Sequence, residues 1–185
     1  MTLRSLLPAF LVLMVLGAGC TADPATETTV LTPQTDVPLI APEALAEFVP
    51  PAPSGWRLLA PPAPATLEED GASLVSVTAS YLPDSDPNGT GNRSADLMVQ
   101  DTGGRSAGLL RLVDLVPAGP VNGTDPVRTT LRGKPAIVVS NQQMTCVHFV
   151  VEERYVVYLT VTGGVPGDFD AFVAALDLEG LSGQR

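Results

Sequence analysis

Apolar and polar residues alternate over short stretches of this chain, most clearly from Leu74 to Tyr81. Val75 and Val77 fall on one side of an extended backbone, and Ser76 and Thr78 fall on the other. Successive side chains of a strand point to opposite faces, so this period of two predicts a strand with one buried face. Comparable runs predict seven strands in all: Trp56–Leu59, Leu74–Tyr81, Ala95–Gln100, Val127–Leu131, Lys134–Ser140, Met144–Glu152 and Arg154–Thr162.

Two other stretches have helical spacing. Their apolar positions are Leu109, Leu112, Val113 and Val116 in the first, and Phe169, Phe172, Val173 and Leu176 in the second. Asp168 is predicted to cap the second helix. The polar turn before Arg154 is too short for a crossover, so the two strands that it joins must pair antiparallel. The pattern predicts an α+β domain, a single antiparallel sheet of about six to seven strands with two helices packed on it.

The first twenty residues have the layout of a lipoprotein signal peptide. An apolar run from Leu6 to Leu16 follows Arg4, and the small residues Gly17 to Gly19 lead to Cys20. The run is too short to span a membrane. Because this pattern resembles the prokaryotic lipobox, we expect residues 1–19 to be removed and lipid to be attached to Cys20. The alternative is an ordinary secretory signal that is cut nearby.

Residues 20–54 are predicted to be a tether, and residues 55–185 a single globular domain. The tether is rich in Pro and Thr and carries no basic residue, which is typical of a semi-stiff spacer. A short helix from Pro42 to Val49 interrupts it, and we expect Leu45 and Phe48 to dock on the domain. The alternative for this helix is that it binds a partner.

Charge and cysteine content limit the classes of partner. The formal net charge is -10, and Lys134 is the only lysine. Such a protein repels nucleic acid and anionic headgroups, so we expect no nucleic-acid partner and membrane contact through lipid alone. If Cys20 is lipidated, Cys146 has no cysteine with which to form an intrachain disulfide.

Several short motifs resemble those of one protein family. They include Pro53-Ser54-Gly55-Trp56, Gly133-Lys134-Pro135-Ala136 and Glu153-Arg154-Tyr155-Val156-Val157, with a closing segment from Phe169 to Leu178. Over residues 43–180 the chain resembles uncharacterised archaeal surface lipoproteins, especially of methanogens, whose domain is PsbP-like. The resemblance implies a PsbP-like α+β fold and a location outside the cytoplasmic membrane, and it brings no catalytic residues.

Cys146 and His148 are the first candidates for chemistry. At positions i and i+2 of a strand they share a face, as a nucleophile and its base would. Met144 and Val150 lie on that same face, and Val147 and Phe149 lie on the other. Two apolar faces are typical of a buried central strand, so we expect a packed and inert thiol rather than a catalytic or metal-binding one.

The segment Asp84-Ser85-Asp86-Pro87-Asn88-Gly89 begins like a calcium-binding loop. However, the closing glutamate position falls on Ala95, with Asp96 one residue late, so we interpret the segment as a polar turn. No metal or cofactor is predicted. The sequons at Asn88, Asn92 and Asn122 are candidate glycosylation sites.

No recognised catalytic motif is present, and Asp101, Asp114 and Asp125 are spread over separate loops and elements, so nothing in the sequence singles out two of them as a glycosidase-like carboxylate pair. The sequence therefore favours a lipid-anchored extracytoplasmic domain that binds or scaffolds an envelope protein or a small molecule. The alternatives are an extracytoplasmic hydrolase and a solute-capturing lipoprotein. A large pocket with convergent polar groups would favour these alternatives, whereas an exposed apolar patch on the sheet would favour a protein partner.

Overall fold

A computed structural model describes residues 37–69, 72–86, 88–104 and 126–184. The predicted signal peptide, Cys20, the helix predicted at Leu109–Val116, and Asn122 lie outside the described residues. None of the described helices is long and apolar enough to cross a membrane.

The described part of the chain forms one antiparallel sheet of eight strands, an α+β architecture. The order across the sheet is β1-β3-β4-β8-β7-β6-β5, and β2 also pairs with β3. The strands are β1 (Trp56–Leu58), β2 (Ala63–Glu69), β3 (Ala72–Pro83), β4 (Ser94–Asp101), β5 (Val127–Leu131), β6 (Lys134–Ser140), β7 (Met144–Val151) and β8 (Tyr155–Thr162). The seven predicted strands are present, and β2 is an eighth that the sequence did not predict.

Three helices are described: α1 (Pro42–Ala46), α2 (Asp168–Ala175) and α3 (Leu178–Gly183). The prediction that Asp168 caps α2 is wrong. The N-cap is Gly167, at φ 94°, and Asp168 is the first helical residue. Its carboxylate instead accepts hydrogen bonds from the Val165 N–H and the Trp56 indole. Asp177 fills the capping role at α3, where its carboxylate accepts from the Gly180 N–H.

One face of the sheet, the core face, carries the hydrophobic core. Alternate residues of β3, β4, β7 and β8 pack there with apolar residues of all three helices. Phe172 of α2 lies at the centre, with its ring edge-to-face with both Trp56 and Tyr81 at centroid distances of 5.1 Å. All three rings are almost completely buried. The apolar stripe of α2 is thus the surface that covers the sheet, as its period predicted.

The folded part extends further towards the N-terminus than the predicted boundary at residue 55. Leu45 of α1 is fully buried in the core, and Phe48 packs against it, which confirms that this helix docks on the domain. The Tyr81 hydroxyl donates to the Pro50 carbonyl at 2.8 Å. Burial of this phenol raises its pKa to about 12. Packing and hydrogen bonds therefore continue back to Val37, the first described residue.

A buried ion pair fastens residues 38–40 to one end of the sheet. Arg154 Nε and Nη2 donate to the two Asp101 carboxylate oxygens at 2.8 and 2.7 Å. The same carboxylate accepts the Ile40 N–H at 2.8 Å, and Arg154 Nη2 also donates to the Pro38 carbonyl. Burial works to raise the pKa of Asp101, but Arg154 and the N–H groups of Ile40 and Gly103 outweigh it and hold that pKa below 3.8.

The two ends of the sheet therefore differ in what they carry. The Asp101 end, where β4 finishes and β8 begins, receives the chain from residues 37–41. The opposite end, here called the loop end, carries the connections β3–β4, β6–β7 and β8–α2. Both candidate glycosylation sites among the described residues, Asn88 and Asn92, lie in the β3–β4 connection at the loop end.

Candidate functional site

The sheet has a second face that contributes no residue to the core cluster of the described residues. The strand register places two rows of side chains across it. One row is Ser80, Asp96, Thr160 and Cys146, and the next is Thr78, Met98, Tyr158 and His148. Most of these side chains are partly or fully exposed. The second face is therefore where a candidate site can be formed.

A shallow groove of about 250 Å³ crosses β3, β4 and β8 on this second face. It is lined by Thr78, Ala79, Ser80, Asp96, Leu97, Met98, Tyr158 and Thr160. Asp96 is the one charged residue among these described lining residues, and the Ser80 hydroxyl donates to Asp96 Oδ1 at 2.6 Å. Hydroxyl groups and one carboxylate thus lie beside the thioether of Met98 and the ring of Tyr158. This arrangement can accept a cation and contact its alkyl or planar part.

Cys146 and His148 lie beside the groove on the same face, as predicted. The prediction that both faces of this strand are buried is wrong, because Cys146 and His148 are each partly exposed. The His148 ring packs against Tyr158 at a centroid distance of 4.2 Å, and burial lowers its pKa. No hydrogen bond joins the thiol to the imidazole within the described part of the chain. The described contacts therefore do not pair this thiol with a base.

The described basic side chains are all engaged within the protein. Arg93 pairs with Asp168, Lys134 with Glu152, and Arg154 with Asp101. The remaining three are also bound: Arg57 to the Asp86 carbonyl, Arg132 to the carbonyls at the end of α2, and Arg128 to a further partner. A set of exposed acids in the same part of the chain has no such partner: Glu43, Glu47, Asp84, Glu153, Asp170 and Glu179. The described surface is therefore negative.

The segment interpreted as a turn rather than a calcium loop is closed by its own carboxylate. Asp86 accepts the N–H groups of Thr90 and Gly91 at 3.1 and 2.6 Å, and these bonds lower its pKa. Within the described ranges, no group of three His, Cys, Asp or Glu side chains could hold a metal ion. Asp96 lies on β4, in the groove, rather than at the closing position of a metal loop.

Two further cavities lie at the ends of the sheet. One of about 80 Å³ at the loop end is lined by residues of the β6–β7 turn and by Val165 and Phe169. One of about 210 Å³ at the Asp101 end lies between Val37, Arg154 and Gln184. Both are below the roughly 300 Å³ at which ligand pockets begin. Asp101 itself is buried in its ion pair, and Asp114 and Asp125 lie outside the described residues.

Among the described residues no strand pairs with the outer side of β2, which is exposed from Ala63 to Glu68, yet this outer edge is poorly suited to pairing with another strand. The Leu59 N–H donates to the Ser80 carbonyl, so the backbone N–H and C=O groups of Ser80 point towards this edge. Those of every second residue of β3, counted from Ser80, point the same way. By register, Pro64 pairs with Val77, whose backbone points the other way. The Pro64 nitrogen therefore lies on the outer side and offers no donor there, which is a common protection of sheet edges.

Comparisons with known proteins found no relative of this chain. No protein-family model matches the chain, and searches of curated proteins and of solved structures also found no match.

The groove was not predicted, although its polar half has a sequence signal. Ser76, Thr78 and Ser80 alternate with the buried apolar residues of β3, so the sequence indicates a strand with one polar face. Which residues face them from β4 and β8 depends on strand pairing. The periodicity of a single strand does not contain that pairing.

Proposed function

We propose that this protein is a lipid-anchored binding module of the cell envelope, held on the outer side of the cytoplasmic membrane by Cys20. The proposal includes membership of the archaeal surface lipoproteins with a PsbP-like domain. Support comes from the signal-like N-terminus, the Pro/Thr-rich spacer and the single antiparallel sheet with its helices on one face. None of these features requires a reaction to be catalysed.

The partner that we propose is a basic segment of another envelope protein, bound in the groove on the second face. The observation that carries this proposal is that Asp96 is the one charged residue among those described in the lining of an exposed groove, on a surface that is negative over the described residues. Asp96 Oδ1 is held by Ser80, and its second oxygen can accept from a Lys or Arg of the partner. Met98 and the Tyr158 ring can contact the rest of that side chain.

Each of these contacts is weak. An exposed ion pair contributes about 0.2–1 kcal/mol, and a cation–π contact at an exposed site contributes about 0.5–1 kcal/mol. Binding through one groove is therefore weak in solution. Tethering both partners to one membrane raises their effective concentration and compensates for low affinity, as a short linker does between two modules.

The groove supports a solute-capturing role or a hydrolase less well. Its volume is below that of ligand pockets, and it is shallow rather than enclosing. Cys146 has no hydrogen-bonded base among the described residues, and burial lowers the pKa of His148.

The test is binding of a short fluorescein-labelled peptide of alternating Arg and Ser to the full-length protein in a non-ionic detergent. Asp96→Asn keeps the size of the side chain and removes its charge, and we expect the dissociation constant to rise about five-fold, equivalent to about 1 kcal/mol. Asp84→Asn is the matched control, because Asp84 is exposed, acidic and outside the groove. We expect this control to change the dissociation constant less than two-fold, roughly.

Two outcomes would contradict the proposal. In the first, Asp84→Asn weakens binding as much as Asp96→Asn, which would mean that only overall charge matters. In the second, a peptide with Gln in place of Arg binds equally well, which would remove the role of the cation.

A further inference from the structure

Two sequons lie close together in the β3–β4 connection at the loop end. They are Asn88-Gly89-Thr90 and Asn92-Arg93-Ser94, and both asparagine side chains are exposed. Exposure alone does not distinguish them. A transferase that acts on the folded protein must bind all three residues of a sequon. The sequon must therefore be able to separate from the residues that it contacts, by local unfolding.

The first sequon is held by few and exposed contacts. The Gly89 N–H donates to the Asp86 carbonyl at 3.3 Å, and the Thr90 N–H and hydroxyl donate to Asp86 Oδ1 at 3.1 and 3.3 Å. The Asn88 side chain makes no hydrogen bond within the described part of the chain. Opening this sequon replaces bonds to a solvent-exposed carboxylate by bonds to water, which changes the free energy little.

The second sequon is built into the fold. Its middle residue, Arg93, pairs with Asp168 at 2.8 Å and lies over the Trp56 ring at 5.2 Å. Ser94 is the first residue of β4 and pairs with Thr162. The Asn92 carbonyl lies so close to Gly163 that a Cβ at position 163 would overlap it. Opening this sequon requires breaking the ion pair, the ring contact and the end of a strand.

We propose that Asn88 is N-glycosylated on the folded protein and that Asn92 is not. The donor is an oligosaccharide activated through its anomeric carbon by a lipid-linked phosphate. Asn88 Nδ2 forms a bond to the anomeric carbon, the bond from that carbon to the phosphate oxygen breaks, the amide loses one proton, and the lipid phosphate leaves. The inference depends on the proposed extracytoplasmic location, because the first requirement is exposure to such a donor.

The position of the glycan follows from the fold. The β3–β4 connection is at the loop end, and the chain from residues 37–41 attaches at the Asp101 end. A glycan on Asn88 therefore projects from the end of the domain opposite to the attachment of the tether.

The experiment is mass spectrometry of glycopeptides from the full-length protein purified from its own membranes. We expect a glycan mass on the Asn88 peptide and an unmodified Asn92. Asn88→Gln and Thr90→Ala should each abolish the glycan mass, Thr90→Ser should retain it, and Asn92→Gln should leave it unchanged. Asp168→Ala releases Arg93, so it should allow modification of Asn92.

Three results would overturn the inference: an unmodified Asn88, a modified Asn92 in the natural sequence, or a glycan that persists in Thr90→Ala. The acyl group on Cys20 is measured in the same preparation. An acylated protein without glycan contradicts this inference alone, whereas a protein that retains residues 1–19 and carries no acyl group contradicts the proposed function.

Discussion

Replacement of Asp101 by Asn tests the buried ion pair that fastens residues 38–40 to the sheet. The carboxylate accepts four hydrogen bonds, two from Arg154 and one each from the Ile40 and Gly103 N–H groups, at 2.7 to 2.9 Å. The Asn side chain keeps only one acceptor oxygen. The NH2 group that replaces the other oxygen faces N–H donors and cannot accept from them. Asp101→Asn therefore removes the charge and leaves about half of these bonds.

The magnitude follows from the burial of both partners. The Asp101 side chain is 0% exposed and the Arg154 side chain 10% exposed, so solvent cannot replace the lost contacts. Removing one partner of a buried pair costs about 3–5 kcal/mol, because the other charge stays buried without compensation. We expect Asp101→Asn to lower the free energy of unfolding by this amount. Arg154→Met should cost a similar amount, and the double variant less than the sum of the two.

Urea unfolding of the full-length protein in a non-ionic detergent, followed by circular dichroism, measures these differences. Asp168→Asn is the control, because Asp168 pairs with an Arg93 side chain that is 31% exposed, and a smaller loss is expected. A loss below about 1 kcal/mol for Asp101→Asn would refute the reasoning. A double variant that loses the full sum of the two single losses would also contradict it, since the two groups would then not be coupled.

The pH dependence supplies a second measurement of the same pair. The pKa of Asp101 is below 3.8 in the folded protein, so the folded state binds fewer protons than the unfolded state around that pH. The stabilisation is complete above the ordinary pKa and is lost as the pH falls through it towards the folded value. Asp101→Asn should therefore flatten the decline of stability below about pH 4.

Four further predictions follow from the described contacts and the sequence. Phe172→Ala should lower the free energy of unfolding by about 3–5 kcal/mol in urea, because the ring is 1% exposed, and a loss under about 1 kcal/mol would mean that α2 contributes little to the core. The Tyr81 pKa of about 12 means that folding favours the neutral phenol, so the free energy of unfolding should fall as the pH rises through 10 towards 12, and Tyr81→Phe should abolish this slope. Cys20→Ser should move the protein from the membrane fraction to the medium, and a soluble natural protein would contradict the anchor. Calorimetric titration with calcium should give no dissociation constant below about 10 μM, and tight binding abolished by Asp84→Ala would reveal a metal site.

Periodicity predicted most of the fold because it reports which face of each element is buried. Val75, Val77 and Ala79 are buried on the core face, as their spacing required, and so is the stripe of α2 around Phe172. The strand β2 escaped prediction because every one of its residues from Ala63 to Glu68 is exposed. A strand without a buried face has no period to detect, and Pro64 is a residue that is disfavoured inside strands.

The groove and the ion pair could not be predicted for a different reason, which is distance along the chain. Asp101 and Arg154 are 53 residues apart, and Asp96 meets Thr160 only because β4 pairs with β8 rather than with β5, the strand after it. The spacing of side chains within one strand determines neither the partner of Asp101 nor the strand that pairs with β4. A shift of one residue in the β4–β8 register would turn Asp96 towards the core face, where a carboxylate would be buried beside Val157 and Leu159. The cost of that burial helps to specify the register, so the charge that we assign to partner binding also helps to keep its own strand in place.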